Sequence, residues 1–533
     1  MLFHTWTFLG FFCLVLLGHF ALRSTRFWLP WLFLASYTFY GWWNPYYLVL
    51  VFYSTWLDYV IVAFMDECSE KGGRPGALGR LWGGGFRTAA SGRWYRGAVL
   101  GLTTCLGVGV FGPESLRFVC GLFAVILGLM AGAALFESRR IWLATSLVNN
   151  LSVLIFFKYA DFLISNFNAA FQGVGLKFAF PEAALLMPFG FDYLLPVGIS
   201  FYTFQSMSYT IDFYRGEIHR ERNFIRFATF VAFFPQLVAG PIERAKNLLP
   251  QFNRFPKVTL VDVTDGLSLF VVGLFKKLAL ANYLSYYVER VYGDPSVASG
   301  SVLALGTFAF AWQIFFDFSG YTDMARGVAR IMGFRLMLNF NNPYLATSLS
   351  DFWARWHISL STWFRDYVYI PLGGNRQGTW RMYANLVITF VVSGIWHGAA
   401  WTFVVWGALH AVGTIVTRDL DGRRWYRERV PRVAKQAGVF VFVCFAWIFF
   451  RAESMADANL IVRRLFGTGW GDPGMPLLMV LLVTSVWCYQ FLYESRLRTV
   501  LANGVVRVGL VLAMLLWLCF FSTGGGAFIY FQF

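Results

Sequence analysis

Residues 386–410 have the sequence LVITFVVSGIWHGAAWTFVVWGALH and contain no aspartate, glutamate, lysine or arginine. A transmembrane helix needs about 20 consecutive, mostly apolar residues, so this stretch predicts membrane insertion. His397 stands between its two apolar halves. An ionisable side chain inside a membrane segment is a functional-site hypothesis by default. The alternative is a packing histidine that is bonded to a neighbouring carbonyl group.

The composition of the whole chain is that of a polytopic membrane protein. Of its 533 residues, 58% are hydrophobic and 14% are charged, against about 45–50% apolar and 25% charged residues in a soluble domain. This composition excludes a multidomain soluble enzyme, because a globular surface needs polar groups. Aromatic residues make up 20% of the chain, which excludes disorder, since disordered chains are poor in aromatic residues.

The net charge of +16 is concentrated in short stretches between apolar runs, above all in 66–98 and 418–436. Cytoplasmic loops of membrane proteins carry such an excess of lysine and arginine, so we predict that both segments are cytoplasmic. A nucleic-acid-binding protein would gather its charge on one soluble face. The seven cysteines include no CxxC pair, and we predict neither disulfides nor a metal site.

Apolar runs predict an all-α membrane protein with about 11 to 12 transmembrane helices. The first run is expected to be a retained span, not a cleaved signal. The candidate spans are 2–22, 28–44, 46–65, 99–113, 117–138, 141–160, 191–213, 263–290, 301–319, 383–396, 400–417, 437–452, 475–493 and 500–521.

Two regions do not have the pattern of plain spans. Proline and glycine interrupt the apolar region 225–257, and 317–382 mixes aromatic residues with many polar ones. Irregular backbone at membrane depth is tolerated only where protein buries it or where it lines a cavity. Both regions are therefore candidates for re-entrant segments. For 225–257, an amphipathic helix on the cytoplasmic surface is an equal alternative.

A second histidine, His357, lies in the sequence RWHISLS at 355–361. Asp351 and Arg355 are four residues apart, as are His357 and Ser361, so each pair would share a helical face. Several polar groups converge here, which makes His357 a second candidate functional residue. The alternative is an interfacial helix rich in tryptophan, in which this histidine is structural.

Residues 315–326, FFDFSGYTDMAR, contain Asp317 and Tyr321 at helical spacing. Asp323 and Arg326 are three residues apart and can neutralise each other. Asp317 has no such local cation, so it would need a hydrogen-bonding partner or would be protonated. We interpret Asp317 as a residue that helps to position a group in the cavity.

The motifs favour acid–base chemistry by histidine. The sequence has no P-loop, no HExxH and no GxSxG nucleophile elbow, the motifs of several standard enzyme classes. A neutral imidazole can act as general base for a hydroxyl that attacks a thioester bound beside it. We expect the other four histidines, His4, His19, His219 and His410, to be structural or solvated.

Long motifs resemble the membrane-bound O-acyltransferase family, and more closely its bacterial polysaccharide branch. Besides the segments quoted above, they include PVGISFYTFQSMSYTIDFYRGEI at 196–218 and FFPQLVAGPIERAKNLLPQF at 233–252. The resemblance implies a ring of tilted helices around a tunnel. It also implies that His397, in the Trp-His-Gly motif, is the near-invariant family histidine, and that His357 matches the second family position.

The resemblance further implies a donor, partners and a location. The donor would be cytoplasmic acetyl-CoA, with no other cofactor, and the acetyl group would cross the bacterial inner membrane to an extracytoplasmic polysaccharide. A periplasmic subunit with a Ser-His-Asp site would often receive it. We assign His397 and His357 to catalysis, and the residues Gln205, Asp317, Tyr321, Arg355, Ser361, Ser393 and Trp396 to substrate binding.

The predicted organisation places N-terminal spans in 1–65, a basic loop in 66–98 and peripheral spans in 99–190. The catalytic core would be 191–417, followed by a basic loop in 418–436 and C-terminal spans in 437–533. Other functions stay open: a D-alanyl transferase that uses a carrier-protein thioester, a transporter with a histidine proton relay, or lipid acylation. Alginate, cellulose, another exopolysaccharide and peptidoglycan are all open as acceptors.

Overall fold

A computed structural model of the protein describes residues 1–70, 114–136, 138–187, 193–467 and 469–521, and these residues form helices and no strands. The α-helices longer than five residues, except one basic helix at Arg424–Arg429, are α1 (Trp6–Ala21), α2 (Trp28–Gly41), α3 (Leu48–Glu70), α4 (Glu114–Leu135), α5 (Arg139–Gly173), α6 (Ile199–Arg215), α7 (Phe224–Ala232), α8 (Leu260–Phe275), α9 (Asn282–Gly293), α10 (Gly300–Ile331), α11 (Leu349–Arg355), α12 (Ile358–Phe364), α13 (Thr379–His397), α14 (Trp401–Gly422), α15 (Arg432–Arg451), α16 (Met455–Gly467), α17 (Leu477–Glu494) and α18 (Gly504–Phe521).

The fold class is confirmed as an all-α polytopic membrane protein. In the described part of the chain, seven helical runs are long and apolar enough to cross a membrane. They are Pro45–Cys68, Arg139–Gly173, Leu260–Gly293, Gly300–Ile331, Arg432–Arg451, Leu477–Glu494 and Gly504–Phe521. The candidate span 99–113 lies outside the described residues. The count of 11 to 12 crossings, the domain boundaries and the tunnel stay predictions.

Both regions with an irregular sequence pattern contain broken backbone, but the second begins later than predicted. In 225–257, α7 is followed only by single turns at Phe234–Leu237, Ala245–Leu248 and Leu249–Phe252. The expected start of the second region at 317 is wrong, because α10 continues to Ile331.

The continuation of α10 has an electrostatic reason. Its polar residues find partners on the preceding helical run: Lys276 binds Asp323 at 2.7 Å, and Arg330 binds Asp265 at 2.7 Å. Paired charges lower the free-energy penalty of burial. The polar stripe that suggested a break in the helix is therefore the face that joins two helices.

The chain divides into two compact units. Unit I comprises residues 1–16, 239–243 and 256–533, and unit II comprises 17–238 and 244–255. Both histidines assigned to catalysis lie in unit I.

In unit I, α8 and α10 pack backbone against backbone. A Cβ atom on Gly273 would lie 2.4 Å from the carbonyl oxygen of Gly320, and one on Gly327 would lie 2.6 Å from the carbonyl oxygen of Gly266. Only glycine permits so close an approach. These contacts fix the position of α10, which carries Asp317 and Tyr321.

In unit II, a buried carboxylate joins three helices. Asp58 on α3 accepts hydrogen bonds from Ser146 Oγ at 2.6 Å and from Asn150 Nδ2 at 2.9 Å, both on α5. The hydroxyl of Ser206 on α6 donates to the same carboxylate. Buried polar groups need such partners, so this cluster specifies how α3, α5 and α6 pack.

Candidate functional site

His397 is the last residue of α13 and is 4% exposed. Its ring lies edge-on to Trp406 at 5.0 Å and to Phe450 at 5.3 Å between ring centroids. Trp396 stands beside it at 4.9 Å. The imidazole therefore packs against three aromatic rings.

Glycines place His397 at a tight contact between helices. A Cβ atom on Gly394 of α13 would lie 2.2 Å from the carbonyl oxygen of Phe403, and one on Gly407 of α14 would lie 2.4 Å from that of Phe390. Helices α13 and α14 thus pack backbone to backbone beside the histidine.

His357 is fully buried and precedes the first residue of α12. Its φ of 43° lies in the left-handed region, which is uncommon for a residue with a side chain. The ring packs edge-on against Phe318 at 4.6 Å between centroids. Its Nδ1 lies 3.1 Å from Asn339 Oδ1. A strained backbone held by specific contacts is a feature of functional sites.

Trp396 is a neighbour of both histidine rings. Its ring lies 6.3 Å from that of His357 and 4.9 Å from that of His397, measured between centroids. The indole is 5% exposed. The structure therefore brings together the three residues His357, Trp396 and His397 of the predicted site. Ser393 is buried on α13, four residues before His397, and one continuous helix joins the two residues.

Asp317 has a cation that its own helix does not supply. Lys277 Nζ lies 2.7 Å from Asp317 Oδ1, and both side chains are 4% exposed. Lys277 lies in the wide helical turn Lys276–Ala281, which joins α8 to α9. Tyr321, one turn further along α10, packs against Phe3 at 4.7 Å between ring centroids.

Arg355 and Ser361 are engaged in local contacts. The Arg355 guanidinium binds Asp351 at 2.7 Å, as the spacing predicts, and also binds Glu494 at 2.5 Å. The hydroxyl of Ser361 donates to the carbonyl oxygen of Trp356 at 3.1 Å. The helical face expected to join His357 and Ser361 does not form, because α12 begins only after His357.

Gln205, the remaining substrate-binding candidate, is buried on α6 in unit II. Its assignment stays a prediction, as do the roles of the other candidates.

Two of the other histidines accept hydrogen bonds in the core. His410 Nδ1 accepts from Trp353 Nε1 at 3.3 Å, and His19 Nδ1 accepts from Trp28 Nε1 at 3.0 Å. These contacts agree with the structural roles expected for both residues.

Glu243, within the motif at 233–252, is a buried carboxyl group outside the spanning helices. Its Oε1 accepts a hydrogen bond from the backbone N–H of Met337 at 2.5 Å. Burial raises the pKa of Glu243 to about 7, although this hydrogen bond and the positive charge of Arg326 oppose the shift. The contact ties residues 239–243 to the segment that follows α10.

Sequence reasoning missed three residues near the candidates, namely Lys277, Asn339 and Ser359. Lys277 is separated from Asp317 by 40 positions, and Asn339 precedes His357 by 18. Pair rules for one helix reach only three or four positions, so they cannot find such partners. For Lys277, the sequence did contain a signal of a buried partner, because this lysine stands inside an apolar run.

Comparisons with known proteins agree on one family. The model of the MBOAT, or membrane-bound O-acyltransferase, family matches residues 214–456. A probable alginate O-acetylase, AlgI, of Azotobacter vinelandii is 41% identical over 358 residues, which cover 66% of this chain and 69% of that protein. A peptidoglycan O-acetyltransferase of Helicobacter pylori is 35% identical over 358 residues, 62% of this chain and 65% of that protein.

A more distant relative is a teichoic acid D-alanyltransferase of Bacillus subtilis. It is 29% identical over 275 residues, which cover 48% of this chain and 69% of that protein. The residues matched by the family model include both His357 and His397.

Proposed function

Because this chain belongs to the membrane-bound O-acyltransferase family and is a multi-pass O-acyltransferase of the membrane, we propose that it transfers acetyl groups to an extracytoplasmic polysaccharide. The donor is acetyl-CoA on the cytoplasmic side of the bacterial inner membrane. Relatives named as alginate and peptidoglycan O-acetyltransferases support acetyl as the group and a polysaccharide as the acceptor.

The observation that carries this proposal is the pair of buried histidines whose rings both lie near that of Trp396. His397 takes the proton of the acceptor hydroxyl, whose oxygen forms a bond to the thioester carbonyl carbon. The carbon–sulfur bond then breaks, and the imidazolium returns its proton to the departing CoA thiolate. General-base catalysis of this kind contributes about 10²- to 10⁴-fold in rate.

The aromatic surroundings of His397 suit a thioester substrate. Trp396, Trp406 and Phe450 enclose the imidazole, and an enclosed site keeps out the water that would hydrolyse the thioester. In this proposal, His357 orients the thioester or the acceptor. The other substrate-binding candidates of unit I line the route of the donor, a tunnel through the membrane. The basic loop 418–436 attracts the CoA phosphates.

The acetyl group leaves the membrane through a partner. The proposed receiver is a periplasmic subunit with a Ser-His-Asp site, which passes the acetyl group to the polymer. A D-alanyl transferase that draws on a carrier-protein thioester is the second candidate. The identities of 41% and 35% to O-acetyltransferases, against 29% to a D-alanyltransferase, favour acetyl.

The test is transfer of labelled acetyl from acetyl-CoA, with the protein in nanodiscs and in membranes that contain its native partners. We expect wild type to deliver label to an acceptor and His397→Ala to lose about 100-fold or more of the rate, since it lacks the base. His219→Ala is the matched control, because that histidine lies in an exposed loop.

Folding of each variant is checked by its thermal unfolding. Equal rates in wild type and His397→Ala would contradict the catalytic role of His397. If folded wild type neither binds acetyl-CoA nor transfers acetyl, the acetyl-CoA proposal is wrong. Transfer that instead needs a charged carrier protein would indicate the D-alanyl reaction.

A further inference from the structure

The geometry points to a positioning residue for His357: we infer that Asn339 holds the imidazole as the tautomer with hydrogen on Nδ1 and the lone pair on Nε2. The inference deepens the proposed function, on which it rests for the catalytic role of His357. The side chain of Asn339 fixes the tautomer, and its backbone holds that of His357.

The contacts of Asn339 identify its side-chain oxygen, Oδ1, as a hydrogen-bond acceptor. The backbone N–H of Ser359 points at Oδ1 from 3.2 Å. A backbone N–H can only donate, so an amide nitrogen could not occupy that place. The other end of the amide, Nδ2, lies 3.5 Å from Thr322 Oγ1, which agrees with this orientation.

The Ser359 hydroxyl donates a hydrogen bond to the same oxygen. Ser359 Oγ lies 2.9 Å from Asn339 Oδ1 and 3.5 Å from His357 Nδ1. Its hydrogen is directed at the shorter contact. Towards the imidazole, the hydroxyl therefore presents a lone pair and acts as an acceptor.

Asn339 Oδ1 and the Ser359 hydroxyl oxygen are both acceptors towards the imidazole, and they decide which ring nitrogen carries the hydrogen. His357 Nδ1 lies 3.1 Å from Asn339 Oδ1. With a lone pair on Nδ1, two lone pairs would face each other at that distance. With hydrogen on Nδ1, the imidazole donates to Oδ1 and lies close to the Ser359 hydroxyl as a second acceptor. A neutral imidazole has one donor nitrogen and one acceptor nitrogen, so the lone pair is on Nε2.

The backbone at Asn339 is hydrogen-bonded to the backbone around His357. The Asn339 carbonyl oxygen accepts from the N–H of Ile358 at 2.9 Å, and Asn341 N–H donates to the carbonyl of Arg355 at 2.9 Å. These bonds flank the left-handed φ of His357, a conformation that is unfavourable for a residue with a side chain. Asn339 thus holds both the backbone and the ring of His357, and it is itself fully buried.

The hydrogen position is measured directly by 15N solid-state NMR of protein with ring-labelled histidine in liposomes at pH 8. The His357 signals are assigned by their loss in His357→Gln. We expect wild type to show hydrogen on Nδ1 of His357. Asn339→Ala should shift the population towards hydrogen on Nε2. Asn339→Asp should keep hydrogen on Nδ1, since a carboxylate also accepts.

Acetyl transfer is measured on the same variants. We expect Asn339→Ala to be at least about tenfold slower than wild type, because His357 in the wrong tautomer would present an N–H and not a lone pair to the group that it orients. Asn339→Asp should be faster than Asn339→Ala. The matched control is Asn385→Ala, which removes another buried amide, one that donates to the Gly374 carbonyl at 3.1 Å, and it should leave the His357 tautomer unchanged.

Two results would overturn the inference: hydrogen on Nε2 in wild type, or an Asn339→Ala variant with the wild-type tautomer and rate. The two proposals can fail separately. A folded wild-type protein that shows the expected tautomer, loses it in Asn339→Ala and transfers no acetyl would support the Asn339 contact and contradict the proposed function.

Discussion

The ammonium of Lys277 and the carboxylate of Asp317 form a buried ion pair, with Nζ and Oδ1 2.7 Å apart and each side chain 4% exposed. Removing one partner of such a pair leaves an uncompensated charge, which costs about 3–5 kcal/mol. We therefore expect Lys277→Met to lower the free energy of unfolding by about that amount. The measurement is thermal or denaturant unfolding of the protein in detergent.

The double variant Lys277→Met with Asp317→Leu separates lost charge from lost packing. Replacing both ions by apolar groups is often neutral, so the double variant should recover most of the stability that the single variant loses. If both variants are equally unstable, the ion pair does not explain the effect.

At the scale of elements, the contact of α8 with α10 depends on glycine. A Cβ atom on Gly273 would lie 2.4 Å from the carbonyl oxygen of Gly320, and this backbone atom can move only with its helix. We expect Gly273→Ala to destabilise the protein by about 1–3 kcal/mol, as overpacking does, and to lower acetyl transfer by displacing α10. Unfolding and transfer assays of the purified variant check both effects.

Gly438 on α15 is the matched control, because a Cβ atom there would meet nothing within 4 Å. Alanine forms helix more readily than glycine by about 1 kcal/mol, so Gly438→Ala should be neutral or slightly stabilising. A loss of stability equal to that of Gly273→Ala would show that close packing is not the reason.

At the scale of the whole molecule, the sequence predicts the fold class and the candidate role of His397 for the same physical reason, whereas His357 is a candidate because polar groups converge around it. Apolar runs must be helical in lipid, and a histidine among them is costly unless it has a use. The length of α10 was not predictable, because Lys276 and Lys277, which pair with its acidic residues, are remote in sequence. The role of Asn339 was not predictable for the same reason, since only the folded chain brings it to His357.

The orientation of the whole molecule decides which side supplies the donor. The excess of arginine in 418–436 predicts that this loop is cytoplasmic, and Arg424 has a side chain that is 83% exposed. In a protein without its seven native cysteines, Arg424→Cys should react with a membrane-impermeant thiol reagent in inside-out vesicles and not in intact spheroplasts. Permeabilised spheroplasts, in which the cysteine should react, are the control.

Acetyl-CoA added outside should then support transfer in the inside-out vesicles alone. Labelling in intact spheroplasts would place the loop outside, and the proposed direction of transfer would be wrong.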